Sequence, residues 1–110
     1  MTQINLYRDN GGNIVKGIVS GHTGFGLEGS DIVCASVSSV LFMTLNGIEH
    51  VLGICFGYQT EEALLEFILP DDLDDNKRKE INILLDSMYL FLKELEGQYK
   101  SNIRITELEV

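Results

Sequence analysis

The chain has 110 residues, of which 45% are hydrophobic and 23% are charged. That length and balance fit one globular domain over residues 1–110 and argue against a disordered chain. The formal net charge is −9, from 17 acidic and 8 basic residues, and it disfavours nucleic acid as a partner because phosphate binding needs clustered basic side chains.

The number of cysteines and the length of the apolar runs indicate the cellular compartment of the protein. Two cysteines, Cys34 and Cys55, are too few for a disulfide framework. The start of the chain has no basic segment followed by a long apolar run, so we expect no signal peptide. The apolar stretches look too short to span a membrane. These features predict a cytoplasmic protein with reduced thiols and no membrane partner.

The first half of the chain predicts a hairpin, a loop and a helix. Residues 3–8 alternate in polarity like a strand, and an Asn-Gly turn joins them to a second strand, Ile14 to Ser20. A glycine-rich loop covers residues 21–29. Ser30 and Asp31 are good N-caps, so we expect a helix that begins there and runs to about Glu49.

The second half predicts two strands, a helix and a last strand. Residues 51–58 are rich in strand-forming side chains, and residues 63–69 form another such run, ended by Pro70. Acids at 71–75 suit a helix start, and Gly97 suits its end. The apolar face of that helix comprises Ile81, Leu84, Leu85, Met88, Phe91, Leu92 and Leu95. Ile83 and Leu90 lie off this face and would meet either a partner subunit or the edge of the core.

The predicted element order is ββαββαβ. It indicates an α+β fold in which two helices cover one mixed β-sheet.

Cys34 and His22 are the candidate catalytic pair. With Asp31 as N-cap, Cys34 is the third helical residue, where free N–H groups and the helix dipole favour a thiolate. These N–H groups are also candidate oxyanion donors. His22 precedes Cys34 by 12 residues, and a loop of that length can bring imidazole to thiol. From spacing alone, a buried structural Cys34 is the commoner alternative.

The sequence around this pair resembles a known family. Gly21-His22, followed by Gly29-x-Asp31-Ile32-Val33-Cys34-Ala35-x-Val37-Ser38, is similar to the ribosomal-processing cysteine proteases called Prp. The similarity extends over nearly the whole chain in length and element order, and its specific part is residues 21–38.

The resemblance implies a homodimeric cysteine endopeptidase with a His22–Cys34 dyad. We expect no cofactor and no metal, since the histidines and cysteines lack metal-ligand spacing. The substrate of the endopeptidase would be the N-terminal extension of large-subunit ribosomal protein twenty-seven, cleaved after paired aromatic residues to support ribosome assembly. Supporting residues at matching positions would be Gly21, Asp31 and Ser38. The loop glycines Gly24, Gly26 and Gly29 would belong to the segment that shapes the substrate site. Thr23 departs from the alanine that commonly follows the histidine.

Other interpretations of the same residues are weaker. Residues 24–29 match G-x-G-x-x-G between a strand and a helix, but an opening hairpin and nearby acids disfavour nucleotide binding. His22, Cys34, His50 and Cys55 lack zinc-ligand spacing. We interpret Cys55 as a half-buried strand residue and His50 as a dipole partner at a helix end. The main functional alternative is a non-enzymatic, ribosome-associated module that only binds a peptide.

Overall fold

The predicted strands at the start of the chain form an antiparallel hairpin. The structure is a computed structural model that describes residues 1–21 and 28–110, with only the backbone of residues 28–31. Strand β1 is Thr2–Arg8 and strand β2 is Ile14–Ser20. The Asp9 carboxylate closes the turn by accepting hydrogen bonds from the N–H groups of Gly11 at 2.9 Å and Asn13 at 3.0 Å. A short side chain that bonds nearby backbone is a typical turn device.

Three further strands complete a five-stranded sheet. They are β3 (Gly57–Glu61), β4 (Leu64–Ile68) and β5 (Ile103–Glu109). The strand order is β3-β4-β2-β1-β5, with β5 parallel to β1 and the other neighbours antiparallel. The α+β class, the mixed sheet and the element order ββαββαβ are therefore confirmed.

Two helices lie on one face of the sheet. Helix α1 spans Glu28–Asn46 and continues through a π-helical turn, Gly47–Val51. Helix α2 spans Asp75–Gln98, and its N-cap Asp74 accepts a hydrogen bond from the Lys77 N–H at 2.8 Å. The core between helices and sheet is apolar, and its fully buried larger side chains are Phe67, Ile4, Leu6, Ile14, Leu41, Ile48, Ile81, Leu85, Met88, Leu92, Ile103 and Val33.

Gly17 makes room for the largest of these side chains. A Cβ at this position would lie 2.3 Å from a ring carbon of Phe67 on the neighbouring strand. Any larger residue would displace that ring from the core. The glycine in the middle of β2 is therefore a packing requirement.

The start of α1 differs from the prediction. The helix begins at Glu28, so Asp31 is its fourth residue and not its N-cap, and Cys34 is its seventh residue. The helix thus extends upstream through Gly29 and Ser30, although serine and aspartate favour N-cap positions. The Cys34 N–H consequently belongs to the internal i→i−4 ladder.

Several predicted boundaries in the second half are also wrong. Residues 52–56 are irregular, so the strand expected at 51–58 is confined to Gly57–Glu61. The π-helical turn takes up Val51, although β-branched residues favour strands, because tertiary packing of the neighbouring Ile48 decides the local structure. Helix α2 runs through Gly97, and Phe91 on its outer side is 42% exposed.

The expectation about apolar length needs a correction too. The helical stretch Ile32–Val51 is long and apolar enough to cross a membrane by length and composition alone, with a mean hydropathy of 1.5. That is weak support for a membrane span, because the core helix of a soluble protein meets the same criterion. Here one side of the stretch packs on the sheet through Val33, Val37, Leu41, Leu45 and Ile48.

Candidate active site

A cavity opens at the end of the sheet opposite the β1–β2 turn, beneath the first half of α1. Its volume is about 210 Å³. Most of the side chains around it are apolar, and the lining residues are Thr2, Val19, Gly21, Cys34, Val37, Ser38, Leu41, Phe42, Thr60, Glu61, Ala63, Leu64 and Leu65. It is therefore a cleft between a helix and four strand ends, the kind of concave site in which enzymes bind substrates.

Helix α1 contributes the nucleophile candidate to this cleft. Cys34 is half-buried with a free thiol, and Ser38 lies one turn further along the same side of the helix. Both residues line the cavity. The helical spacing of four thus brings together two of the residues that the sequence singled out.

Gly21 reaches the same cleft from the end of β2. Its φ is +89°, and a Cβ there would lie 2.5 Å from the Met1 carbonyl oxygen. Its N–H donates a hydrogen bond of 3.0 Å to the Ala63 carbonyl. Only glycine fits this conformation and this close approach. Gly21 therefore fixes where the chain leaves the sheet.

Ala63 carries a second unusual backbone conformation at the cleft. Its φ is +63°, and it is the one non-glycine residue with positive φ in the described part of the chain. An L-residue in this region costs about 1–2 kcal/mol. The conformation turns the chain from β3 into β4 and aims the Ala63 carbonyl at Gly21. Strain of this kind tends to persist at functional sites.

The remaining predicted site residues are only partly covered by the structure. His22, Gly24 and Gly26 lie outside the described residues, so their part in the site stays a prediction. Gly29 is the second residue of α1, and Asp31 is within its first turns. The dipole effect is concentrated in the first turn of a helix. Cys34 therefore lies further from the positive end of the helix dipole than the predicted register implied.

Two features of the cleft had not been predicted. The Thr2 hydroxyl is buried at its β1 end and has no hydrogen-bond partner among the described residues. At the β3 end, the rings of Phe42 and Tyr58 meet edge to face with centroids 6.4 Å apart. Phe42 follows Cys34 by eight residues, so helical spacing offered a signal for it. Thr2 reaches the cleft only through the sheet topology, and Tyr58 adjoins the cleft through its contact with Phe42.

Cys55 and His50 have different surroundings from those of Cys34. Cys55 is exposed in an irregular segment, so the half-buried strand position predicted for it is wrong. His50 lies in the last turn of the π-helical segment, as predicted for a helix end, and its Nε2 is 3.0 Å from a Glu49 carboxylate oxygen. Neither residue lines the cleft that contains Cys34.

Comparison with known proteins identifies the family. Residues 1–104 match the family described as cysteine protease Prp. The chain belongs to this family. A Bacillus subtilis member, named ribosomal processing cysteine protease Prp, is 29% identical over 108 residues, and the match covers 96% of each chain. The chain is thus a cysteine protease of the ribosomal-processing type, as the sequence predicted.

Solved structures agree with this assignment. A Staphylococcus aureus Prp in complex with a substrate peptide has 25% sequence identity and a TM-score of 0.84, over 97% of this chain and 99% of that one. The same S. aureus enzyme with a covalently linked product peptide has 26% identity and a TM-score of 0.82, with the same coverage. The Prp fold therefore includes all five strands and both helices described above.

Proposed function

We propose that this chain is the endopeptidase that removes the N-terminal extension of large-subunit ribosomal protein twenty-seven, with Cys34 as nucleophile and His22 as base. The observation that carries the proposal is the position of Cys34, a half-buried free thiol at the wall of an open, mostly apolar cleft. Such a cleft can hold a peptide beside the sulfur. A ribosomal substrate implies that the reaction takes place in the cytoplasm.

In the proposed reaction, His22 removes the proton from the Cys34 thiol, and the thiolate attacks the carbonyl carbon of the scissile peptide bond. The tetrahedral intermediate collapses as His22 returns the proton to the leaving amine. The acyl group then remains on Cys34 as a thioester. Water, deprotonated by His22, attacks this thioester and releases the carboxylate product and the thiol. A relative with a covalently linked product peptide supports a covalent route.

The test is processing of the ribosomal protein itself. Purified protein is mixed with unprocessed ribosomal protein twenty-seven from the same organism, and the new N-terminus is read by mass spectrometry. We expect one cut that follows paired aromatic residues. Intact substrate after prolonged incubation, with Cys34 still reactive toward iodoacetamide, would show that the substrate assignment is wrong.

We also propose that two copies associate through the outer side of the helices. Met43 on α1 and Ile83 and Leu90 on α2 are 68%, 68% and 69% exposed. Between the helices lies an apolar groove of about 510 Å³, lined by Ala35, Ser36, Ser39, Val40, Met43, Ser87 and Phe91. Exposed apolar side chains on the outer side of two neighbouring helices are typical of a subunit interface. The family resemblance implies a homodimer, and this supports a second copy of the chain as the partner that covers the groove.

Sedimentation equilibrium tests the dimer. We expect Leu90→Glu to shift the protein from dimer to monomer, because it buries a charge at the interface. Arg104→Glu, on the strand at the far edge of the sheet, is the matched control and should remain dimeric. A parent protein that is monomeric at high concentration would contradict this interface.

A further inference from the structure

The backbone hydrogen bonds of the sheet reveal which groups of β3 are free. The Gly21 N–H donates to the Ala63 carbonyl, and the Leu69 N–H donates to the Val15 carbonyl at 2.9 Å. Facing residues of an antiparallel pair alternate between bonded and non-bonded pairs. With the β2–β4 register, these two bonds direct the backbone groups of residues 63, 65, 67 and 69 toward β2. The backbone groups of residues 64, 66 and 68 therefore point toward β3.

The same alternation shows which residues of β3 direct their backbone groups toward β4. Gly57, Gln59 and Glu61 face residues 68, 66 and 64, so these three residues bond β4. Tyr58 and Thr60 must then direct their N–H and C=O groups away from the sheet. All five residues of β3 are exposed, and no described strand lies beyond it. The edge thus presents four unpaired backbone groups, two residues apart, which can template another strand.

The side chains of Tyr58 and Thr60 point toward the helices. Their register partners on β4 are Phe67 and Leu65, both buried beneath the helices, and partners in a sheet share one face. Thr60 accordingly lines the cavity that contains Cys34. The Tyr58 ring meets Phe42, and the two rings stay 46% and 40% exposed.

The opposite edge of the sheet lacks this relation to the nucleophile. Strand β5 is also an edge strand, but none of its residues lines the cleft. A free strand edge and the Cys34 thiol therefore occur together only at β3 in the described part of the chain.

We propose that the substrate peptide binds in extended form as a sixth strand on the free edge of β3, held by the backbone groups of Tyr58 and Thr60. This inference rests on the proposed peptidase function, and it specifies which backbone groups hold the peptide. Addition of an extended peptide to a sheet edge is a common recognition mode. Alternate substrate side chains then lie on the helix side, against Phe42 and Tyr58, which act as specificity-determining residues. An edge-to-face aromatic pair presents further ring edges to a large apolar side chain.

An ester scan of the peptide tests strand addition. Each backbone N–H of a peptide spanning the processing site is replaced in turn by an ester oxygen, and the Kd for the Cys34→Ala protein is measured by fluorescence. We expect a weakening of about 2- to 10-fold per lost bond, at every second position and on one side of the scissile bond. Equal affinity across the series, or losses without alternation, would overturn the proposal, as would the absence of any binding.

Cleavage by the parent protein keeps this test separate from the proposed function. If the parent peptide is cut while the ester series shows no alternation, the peptidase assignment stands and strand addition is wrong. If the ester series alternates while the parent protein cuts nothing, the peptide is bound as a strand and the peptidase assignment fails.

Proline substitutions in β3 provide a matched pair. Thr60→Pro removes an outward N–H, which edge strands tolerate, so the melting temperature should stay close to the parental value while KM rises. Gln59→Pro removes a bond to β4 and should lower the melting temperature. Parental KM in a folded Thr60→Pro protein would overturn the proposal. If Thr60→Pro does not fold, the ester scan decides.

The aromatic wall gives an independent readout. Phe42→Ala should raise KM about 10-fold with kcat held within about 2-fold, because a contact made equally in ground and transition states affects binding alone. Leu108→Ala, on β5 at the opposite edge of the sheet, is the matched control and should behave like the parent. Equal KM values for Phe42→Ala and the parent would show that this wall does not contact substrate.

Discussion

The two ends of the sheet differ in what their polar groups bond: at the turn end they bond helix α2, and at the cleft end the outward backbone groups of β3 have no described strand beside them. At the turn end, the Arg78 guanidinium donates through Nη2 to the Ile14 carbonyl, and the Asn82 amide donates to the Asn13 side chain at 2.9 Å. These bonds tie the first half of α2 to the hairpin. At the cleft end, the Thr2 hydroxyl lacks a partner among the described residues, and the edge groups of β3 are open.

The difference separates the residues that hold the fold from those that are available for a ligand. Buried polar groups are normally hydrogen-bonded, and the Thr2 hydroxyl beside the cleft departs from this rule among the described residues. The turn end is not perfectly paired either, since the Arg78 Nε is buried without a partner. Burial also lowers the pKa of Arg78, although the carboxylates of Asp9 and Asp86 oppose this effect.

Among substitutions outside the nucleophile itself, the largest effect is expected from loss of the proposed base. His22→Ala should reduce kcat/KM by more than about 100-fold, because general acid–base catalysis is commonly worth that much. Alkylation of Cys34 by iodoacetamide near neutral pH should slow as well, while the melting temperature stays near the parental value. Unchanged alkylation and cleavage rates would show that His22 does not activate the thiol.

A substitution at the turn end should act on stability alone. Arg78→Leu leaves the Ile14 carbonyl without its partner, and the free energy of unfolding should fall by about 1–3 kcal/mol. Urea denaturation measures this change. Lys77→Ala, one residue earlier on the exposed side of α2, should change it by less than about 0.5 kcal/mol. A loss of cleavage by folded Arg78→Leu protein would mean that the two ends are not independent.

Ala63 allows the strain at the cleft to be measured. Ala63→Gly should raise the free energy of unfolding by about 1 kcal/mol, because glycine adopts positive φ without steric cost. Lys79→Gly, at an exposed position within α2, should lower it by about 1 kcal/mol and is the control. Equal destabilisation by both substitutions would show that Ala63 is unstrained.

The smallest effect concerns pH. The pKa of Glu107 is lowered by the hydrogen bond from the Tyr89 hydroxyl and by the ion pair with Arg8 at 2.8 Å. A lowered carboxyl pKa stabilises the fold above the ordinary value near 4.5, and this stabilisation is lost as the pH falls below it. Glu107→Gln should therefore lose less stability between pH 6 and pH 3. The difference should be at most about 0.5 kcal/mol for so exposed a pair.

Sequence patterns predicted the elements whose signals are local. The alternation in residues 3–8 gave the first strand, and most of the α2 face was identified by helical spacing. The start of α1 was misplaced because Ser30 and Asp31 resemble caps, yet the chain can continue a helix through them. The strand predicted at 51–58 was too long because the helical segment that contains the buried Ile48 continues through Val51. Strand order was not predictable from these signals, so neither the β3 edge nor Tyr58 could be assigned to the site.

The most direct test of the central claim compares the two cysteines. Cleavage of a peptide spanning the processing site is followed by mass spectrometry for the parent, Cys34→Ala and Cys55→Ala proteins. Loss of the nucleophile should reduce kcat by more than about a thousandfold in Cys34→Ala, while Cys55→Ala, which removes an exposed thiol outside the cleft, should retain the parental rate. Parental cleavage by folded Cys34→Ala protein would contradict the assignment of Cys34 as the nucleophile.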